Sequence, residues 1–172
     1  MHKFTREQKV YSMGGIQVGG QPGERPTVLL GSIFFSKHQI VSDPVKGIFD
    51  KEKAKGLLER EGALSAATGN PRIIDPIGES STALINYIEF IAAHTDAPIL
   101  VDSPQQTARM KALRHFAGSD ILPRLIYNSI AEDFSEEELV CIKECGVKSA
   151  IILAFSTTAM KPKARIKLLN EK

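Results

Sequence analysis

The sequence predicts an α/β fold in which short buried strands alternate with helices. The main evidence is four apolar runs that each end on a polar residue and are separated by helix signals; they occupy 71–75, 97–102, 124–128 and 149–155. Their starts recur about every 26 residues, a spacing typical of βα units in a parallel sheet. This spacing fits both a (β/α)8 barrel, the TIM barrel, and a doubly wound sheet.

A fifth apolar run, at 27–35, precedes these four and has Gly31 and Ser32 at its centre. Five strands cannot close an eight-stranded barrel, so a barrel would need further strands. We therefore expect the chain to be part of a longer protein. Within it, 1–172 is expected to form a single domain, with a glycine-turn hairpin at 8–20 that caps the bottom of the sheet.

Local signals place the helices between the strands. Asp50 should cap a helix over 51–68 that ends at Gly69, and a second helix should run from about 81 to His94. Ser103, followed by a proline and a capping-box glutamine, should start a third. Ser135 and Glu138 form a capping box for a fourth. Residues 36–50 are predicted to be a polar loop.

Composition excludes several classes of protein. The 172 residues include 22 basic and 20 acidic side chains, a net charge of +2. These charges are well mixed, which argues against a nucleic-acid surface. No apolar run approaches about 18 residues, the length that a membrane-spanning helix needs. The first residues lack the apolar core of a signal peptide, so we expect a cytoplasmic protein.

The residues at the strand ends are the main candidates for a site. Asp75, Asp102, Asn128 and Ser156 each follow an apolar run, and the carboxyl ends of parallel strands meet at one rim. Two carboxylates and an amide could hold Mg²⁺, act as general acid and base, or bind a heterocycle with a 2-aminopyrimidinone edge. An aspartate at a strand end often only caps the next helix, and spacing alone does not decide between these roles.

The remaining metal-binding or nucleophilic residue types give weaker signals. His38 lies in the polar loop and is a minor candidate for a catalytic base. Cys141 and Cys145, four residues apart on a predicted helix, lack the further ligands of a zinc site. We interpret them as reduced packing cysteines, and we predict no intrinsic metal.

Five segments together resemble a known family. Segments 69–75, 99–103 and 125–133 are similar to those of pterin-dependent methyltransferases. Segments 14–24 and 30–34 narrow the resemblance to the H subunit of tetrahydromethanopterin S-methyltransferase and to the bacterial methylcorrinoid:tetrahydrofolate methyltransferases. The resemblance covers essentially the whole chain.

The resemblance implies a (β/α)8 barrel that binds the pterin at its C-terminal rim. Asp102 would bind the pyrimidine edge and Asn128 would hydrogen-bond the ring, while Asp75 would be a rim aspartate of less defined role. The residues near N5 lie on later strands in this family, so no position here matches them. The corrinoid would belong to a partner protein, within a homodimer or a larger methyltransferase complex that can be membrane-bound, with this chain at its cytoplasmic periphery.

The implied reaction moves a methyl group between N5 of tetrahydromethanopterin and the cobalt of that corrinoid. A close alternative is the bacterial enzyme, with tetrahydrofolate as the pterin. A second alternative is a non-catalytic pterin-binding or assembly module. A dihydropteroate-synthase-like enzyme is a weaker alternative, because the N-terminal glycine hairpin argues against it.

Overall fold

The structure, a computed structural model that describes residues 2–171, contains a five-stranded parallel sheet. Met1 and Lys172, the ends of the predicted domain, lie outside the described residues. The elements in chain order are β1 (Val10–Met13), β2 (Ile16–Gly19), β3 (Leu29–Ile33), β4 (Val41–Asp43), β5 (Ile48–Phe49), α1 (Lys51–Thr68), β6 (Arg72–Pro76), α2 (Ser81–His94), β7 (Ile99–Asp102), α3 (Gln106–Phe116), β8 (Leu125–Ile130), α4 (Glu136–Cys145), β9 (Ala150–Ile152) and α5 (Pro162–Glu171). The strand order in the main sheet is β3-β6-β7-β8-β9.

This arrangement confirms the α/β prediction and the parallel pairing of successive strands. Within residues 2–171 the sheet is open, with β3 and β9 at its edges, and no closed barrel is present. Both edges carry exposed apolar side chains: Leu30 on β3 is 52% exposed and Ile152 on β9 is 63% exposed.

The two faces of the sheet have different neighbours because alternate residues of a strand point to opposite sides. Ile74, Val101 and Tyr127 belong to the main core with the apolar sides of the helices. Ile73, Leu100 and Ile126 form a second buried cluster on the other face, with residues of the β1–β2 hairpin packed against it.

The β1–β2 hairpin covers that second face near the start of the strands. A Cβ added to Gly14 in its turn would lie 2.6 Å from Cβ of Pro98, which directly precedes β7. The positive φ of Gly14, 56°, also favours glycine. The hairpin therefore lies close to the amino end of β7, away from the rim where the polar residues are expected.

Most of the predicted helix ends are present. The side chains of Asp50, Ser80 and Ser135 accept hydrogen bonds from the first turns of α1, α2 and α4. Gly69 and Gly146 end α1 and α4 in the left-handed conformation.

The predicted cap of the third helix is wrong. Ser103 Oγ accepts a hydrogen bond from the backbone N–H of Gln105 at 3.1 Å, which stabilises a turn before the helix. The helix then begins at Gln106, after Gln105, whose side chain makes no capping bond.

Three other boundaries differ from the prediction. Residues 36–50 contain the short β4–β5 hairpin instead of only a loop, because Val41 and Phe49 pack against the core. The first strand of the sheet ends at Ile33, and Phe34 leaves it with φ of 65° to stack on Tyr87, 4.4 Å between ring centroids. The last strand is limited to 150–152. No helix within 2–171 has the length and apolar character that crossing a membrane requires.

Candidate functional site

Four polar side chains form a row across neighbouring strands, and we call Ser32, Asp75, Asp102 and Asn128 the rim row. Asp75, Asp102 and Asn128 each lie two positions after a residue of the hairpin-facing cluster, so they point to the same face. Ser32 joins them because it pairs with Asp75 on the adjacent strand. Asp75, Asp102 and Asn128 thus lie directly above the buried Ile73, Leu100 and Ile126. The structure therefore brings together the three main residues predicted from the sequence and adds Ser32.

The register of the strands decides which members of the row are direct neighbours. Ser32 pairs with Asp75, and Asp102 pairs with Asn128. Asp102 is bridged to Ile77 rather than to Asp75, so the two aspartates are diagonal neighbours across β6 and β7. The carboxyl group of Asp75 is nevertheless near enough to Asp102 to raise the pKa of Asp102.

Each carboxylate has one neutral donor beside it. Ser32 Oγ donates to Asp75 Oδ2 at 2.7 Å, and Asn128 Nδ2 donates to Asp102 Oδ2 at 3.0 Å. Asp75 is 8% exposed, and within residues 2–171 its Oδ1 is buried without a hydrogen-bond partner. A buried oxygen without a partner is costly, so the row retains unused acceptor capacity.

The proximity of the two carboxylates shifts the titration of Asp102. Burial first, and then the charge and carboxyl group of Asp75, raise the pKa of Asp102 to about 7, although Arg109 and the amide of Asn128 act in the opposite direction. A partly buried carboxyl group beside a second carboxylate retains its proton to higher pH. Near neutral pH Asp102 can therefore either accept hydrogen bonds or hold a proton.

A buried ion pair lies directly behind Asp102 and Asn128. Arg109 on α3 contacts Glu138 on α4, with Arg109 Nη2 2.8 Å from Glu138 Oε1; their side chains are 12% and 1% exposed. The guanidinium also donates to the hydroxyl of Tyr127 at 3.0 Å and to the carbonyl oxygen of Ser103 at 2.6 Å. Tyr127 precedes Asn128 and Ser103 follows Asp102, so the chain next to each of these two site residues is tied to one side chain.

Glu138 has a full set of donors. Gln106 Nε2 donates to its Oε2 at 2.6 Å, and the hydroxyl of Tyr127 donates to its Oε1. Burial alone would raise the pKa of Glu138, but the hydrogen bonds from Tyr127, Arg109 and Gln106 outweigh it and lower that pKa. The carboxylate is therefore held ionised inside the protein.

Other residues singled out from the sequence lie elsewhere. Ser156 makes local hydrogen bonds, to the hydroxyl of Thr158 and from the backbone N–H of Ala159. His38 lines a cavity with Glu61 and Gly31 between β3 and α1, on the helix side of the sheet.

The two cysteines are buried on α4, with 3.9 Å between the Sγ atoms of Cys141 and Cys145. Burial and the neighbouring thiol raise the pKa of Cys141 to about 11, as suits a packing role. Across residues 2–171 no group of three or more histidine, cysteine or acidic side chains is placed to hold a metal ion.

Sequence reasoning missed Ser32, Arg109 and the main contacts of Glu138. The alternation of β3 contained a signal for Ser32, because it lies two residues after Leu30 on the hairpin-facing side. The capping box at Ser135 concealed the other role of Glu138. Its backbone N–H does bond to Ser135 Oγ, at 3.1 Å, but its side chain turns to Arg109.

The geometry suits recognition of a planar ring with two adjacent N–H groups. An ionised Asp102 can accept two parallel hydrogen bonds, as carboxylates do from guanidinium-like edges. The amide of Asn128, beside it in register, offers both a donor and an acceptor. The exposed hydroxyl of Ser32 and the acceptor Asp75 extend this polar edge.

Comparison with known proteins gives a consistent result. Residues 6–172 match the family model described as tetrahydromethanopterin S-methyltransferase MtrH subunit. The chain is 45% identical over 166 residues to the H subunit of tetrahydromethanopterin S-methyltransferase from Methanopyrus kandleri, covering 96% of this chain and 52% of that protein. It is 39% identical over 170 residues to the protein of the same name from Methanocaldococcus jannaschii, covering 99% and 53%.

A third relative has a different name. The chain is 37% identical over 170 residues to the H subunit of the putative methyltransferase mtx from Methanosarcina mazei, covering 99% of this chain and 55% of that protein. The chain thus spans about half the length of the curated relatives that it matches. With a family model that matches nearly all of its length, this chain belongs to the tetrahydromethanopterin S-methyltransferase MtrH subunit family.

Proposed function

We propose that this chain binds the pyrimidine edge of a reduced pterin through Asp102 and Asn128. In this proposal it forms part of a methyltransferase that moves a methyl group between N5 of tetrahydromethanopterin and the cobalt of a corrinoid carried by a partner protein. The observation that carries the proposal is the in-register pair of Asp102 and Asn128 at the carboxyl ends of adjacent parallel strands. The names of the relatives supply the pterin and the class of reaction.

The roles of the residues follow from their hydrogen-bonding capacity. Asp102, when ionised, accepts from the ring N–H and the exocyclic amine of the pterin. Asn128 donates to Asp102 Oδ2 and presents the rest of its amide to the ring. Asp75, beside them and accepting the hydroxyl of Ser32, adds a further acceptor to this edge.

In the transfer itself, the bond between the methyl carbon and N5 breaks while a bond between that carbon and cobalt forms. The electron pair of the broken bond stays on N5, which leaves more easily when it gains a proton or a hydrogen bond. The corrinoid of the partner would supply the cobalt nucleophile. This chain's residues bind and orient the pterin, and we assign none of them to N5.

The first test is pterin binding by isothermal titration calorimetry at pH 8. We expect the wild-type chain to bind tetrahydromethanopterin and Asp102→Ala to bind it at least about 30-fold more weakly, since a charge-assisted pair contributes about 2 kcal/mol or more. Asp120→Asn, which removes an exposed carboxylate from a turn after α3, is the control and should bind like wild type. Equal affinity of Asp102→Ala and wild type would exclude the assignment.

The second test is anaerobic mixing with cob(I)alamin and each methylated pterin, followed by absorbance. Formation of methylcob(III)alamin with methyl-tetrahydromethanopterin alone would support the proposed reaction. Formation with methyl-tetrahydrofolate alone would favour the bacterial type of activity. Pterin binding without turnover would favour a pterin-binding or assembly module.

A further inference from the structure

We propose that Arg109 is a positioning residue for the rim row: fixed by Glu138 and Tyr127, its guanidinium holds β7 and β8 in alignment next to Asp102 and Asn128 and places a positive charge near Asp102. The site that it serves is the one assigned under the proposed function, so its importance for pterin binding rests on that assignment. Its effect on Asp102 can be tested without any pterin.

The alignment follows from the three directions in which the guanidinium donates. Nη1 bonds the carbonyl oxygen of Ser103, Nε bonds the hydroxyl of Tyr127 and Nη2 bonds Glu138, at distances from 2.6 to 3.0 Å. Ser103 and Tyr127 are the covalent neighbours of Asp102 and Asn128. One planar group therefore fixes the residues on either side of the Asp102–Asn128 pair, and a lysine could not reproduce this fork.

The ion pair is more than a packing contact. Burying an arginine and a glutamate is costly, and an apolar pair of similar volume would often stabilise a fold equally well. Here Glu138 is 1% exposed and receives three donors, so its position is fully specified. The position of this pair, next to Asp102 and Asn128, is therefore better explained by a role in holding the site in place than by a contribution to stability alone.

The electrostatic part follows from the charges around Asp102. Three groups act on its carboxyl: the carboxyl group of Asp75 on β6, the guanidinium of Arg109 on α3, and the neutral amide of Asn128 on β8. Arg109 is the one positive charge among these three neighbours, and it opposes the effects of burial and of Asp75. Glu138 in turn neutralises part of the charge of Arg109.

This arrangement predicts opposite effects for two changes in one ion pair. Arg109→Gln removes the positive charge, so the titration midpoint of the Asp102 carboxyl should rise by about half a pH unit or more. Glu138→Gln leaves Arg109 less neutralised, so the midpoint should fall. A network that served only the packing of α3 against α4 would move the midpoint in the same direction in both variants, or not at all.

The experiment is a carboxyl ¹³C NMR titration of Asp102 in the unliganded chain, with amide spectra to establish that each variant is folded. Arg109→Lys keeps the charge, so its midpoint should stay near the wild-type value. Arg114→Gln is the matched control, because Arg114 and Glu137 form an exposed ion pair between the same two helices, 3.2 Å apart. We expect no shift in that control.

Opposite shifts in Arg109→Gln and Glu138→Gln would support the proposal. Shifts in the same direction, or none, in folded variants would overturn it. If Arg109→Gln does not fold, Glu138→Gln alone still tests the proposal. A lower Asp102 titration midpoint in that variant would support it, and an unchanged or raised midpoint would contradict it.

Pterin affinity gives a second measurement. Arg109→Lys and Tyr127→Phe should bind several-fold more weakly with little change in the Asp102 midpoint, because they disturb alignment and not charge. Wild-type affinity in both variants would overturn the alignment part. A wild-type chain that binds no pterin would reject the proposed function, while the NMR titration would still test Arg109.

Discussion

Asp102→Asn should make the protein more stable at pH 8 while weakening the binding of the pterin. The folded structure places the Asp102 carboxyl close to that of Asp75, and burial with this neighbour raises its pKa from 3.8 to about 7. An asparagine has nearly the same shape, carries no charge, and can still accept the hydrogen bond from Asn128. The substitution therefore removes the cost of burying a charge and the repulsion by Asp75, and it leaves the packing in place.

The size of the gain follows from linkage between proton binding and folding. Because the folded state holds the proton more tightly than the unfolded chain, the stability of wild type falls as the pH rises between about 4 and about 7. A pKa of Asp102 raised from 3.8 to about 7 sets an upper limit on the gain of about 4 kcal/mol at pH 8, and of about 1–2 kcal/mol at pH 5. Partial solvent screening reduces these values, so we expect a gain of about 1–3 kcal/mol at pH 8 and clearly less at pH 5.

The assay is urea unfolding of wild type, Asp102→Asn and the exposed control Asp120→Asn at both pH values. The control should follow wild type. If Asp102→Asn gains nothing at pH 8, or gains equally at pH 5 and pH 8, burial and Asp75 do not disfavour the ionised Asp102 carboxyl and the reasoning about the rim row is wrong.

Three further predictions concern the site, the hairpin and the cysteines. As the pH increases to about 7, pterin affinity should rise by up to tenfold per pH unit and then level off, because Asp102 must be ionised to accept two hydrogen bonds. Calorimetry between pH 5.5 and 8 measures this affinity, and an affinity that does not change with pH would contradict the prediction. Gly14→Ala should destabilise the fold by about 1–3 kcal/mol more than Gly15→Ala in urea unfolding, because both glycines have positive φ but only Gly14 faces Pro98. Equal losses would show that the hairpin turn does not pack there. Cys141 should resist a thiol reagent at pH 8 until urea is added, because it is buried with a pKa of about 11; rapid labelling of the native protein would contradict the packing role.

Helices and strands were largely predictable because their signals are local. Asp50 and Ser135 lie next to the helix turns that they cap, and Gly69 lies next to the turn that it ends. The β4–β5 hairpin was missed because its strands are only three and two residues long, too short for a period to be visible. What holds it is contact with distant residues: a Cβ on Gly47 in its turn would lie 2.7 Å from Cα of Ala83.

The grouping of Asp75, Asp102 and Asn128 was predictable because parallel strands end at one edge. Their exact neighbours were not, since register depends on packing between strands that are far apart in the chain. The offset at Ile77 and Asp102 makes the two aspartates diagonal, and the pairing of Ser32 with Asp75 supplies a donor that spacing did not indicate.

The contact of Arg109 with Glu138 was hidden for a different reason. The two residues are 29 positions apart, and each had a sufficient local explanation, one as a polar helix residue and the other as part of a capping box. When a local pattern already explains a residue, as the capping box explains Glu138, that pattern gives no sign of a further contact with a distant residue. Only the packing of α3 against α4 shows it.

The rim row illustrates why these polar residues are poor choices for stability alone. The β1–β2 hairpin packs against the apolar layer that lies beneath them. The carboxylates therefore have an apolar surface below them, and two charges repel each other more strongly there than in a solvated loop. Asp75 keeps an oxygen without a partner among residues 2–171, and Asp102 is held near a charge of its own sign. For stability alone, an amide in place of one of these carboxylates would be the better choice, because it carries no charge and can donate a hydrogen bond to the other. Two carboxylates at this position, with a fixed guanidinium near one of them, are what the proposed binding of a ligand with paired N–H donors would require.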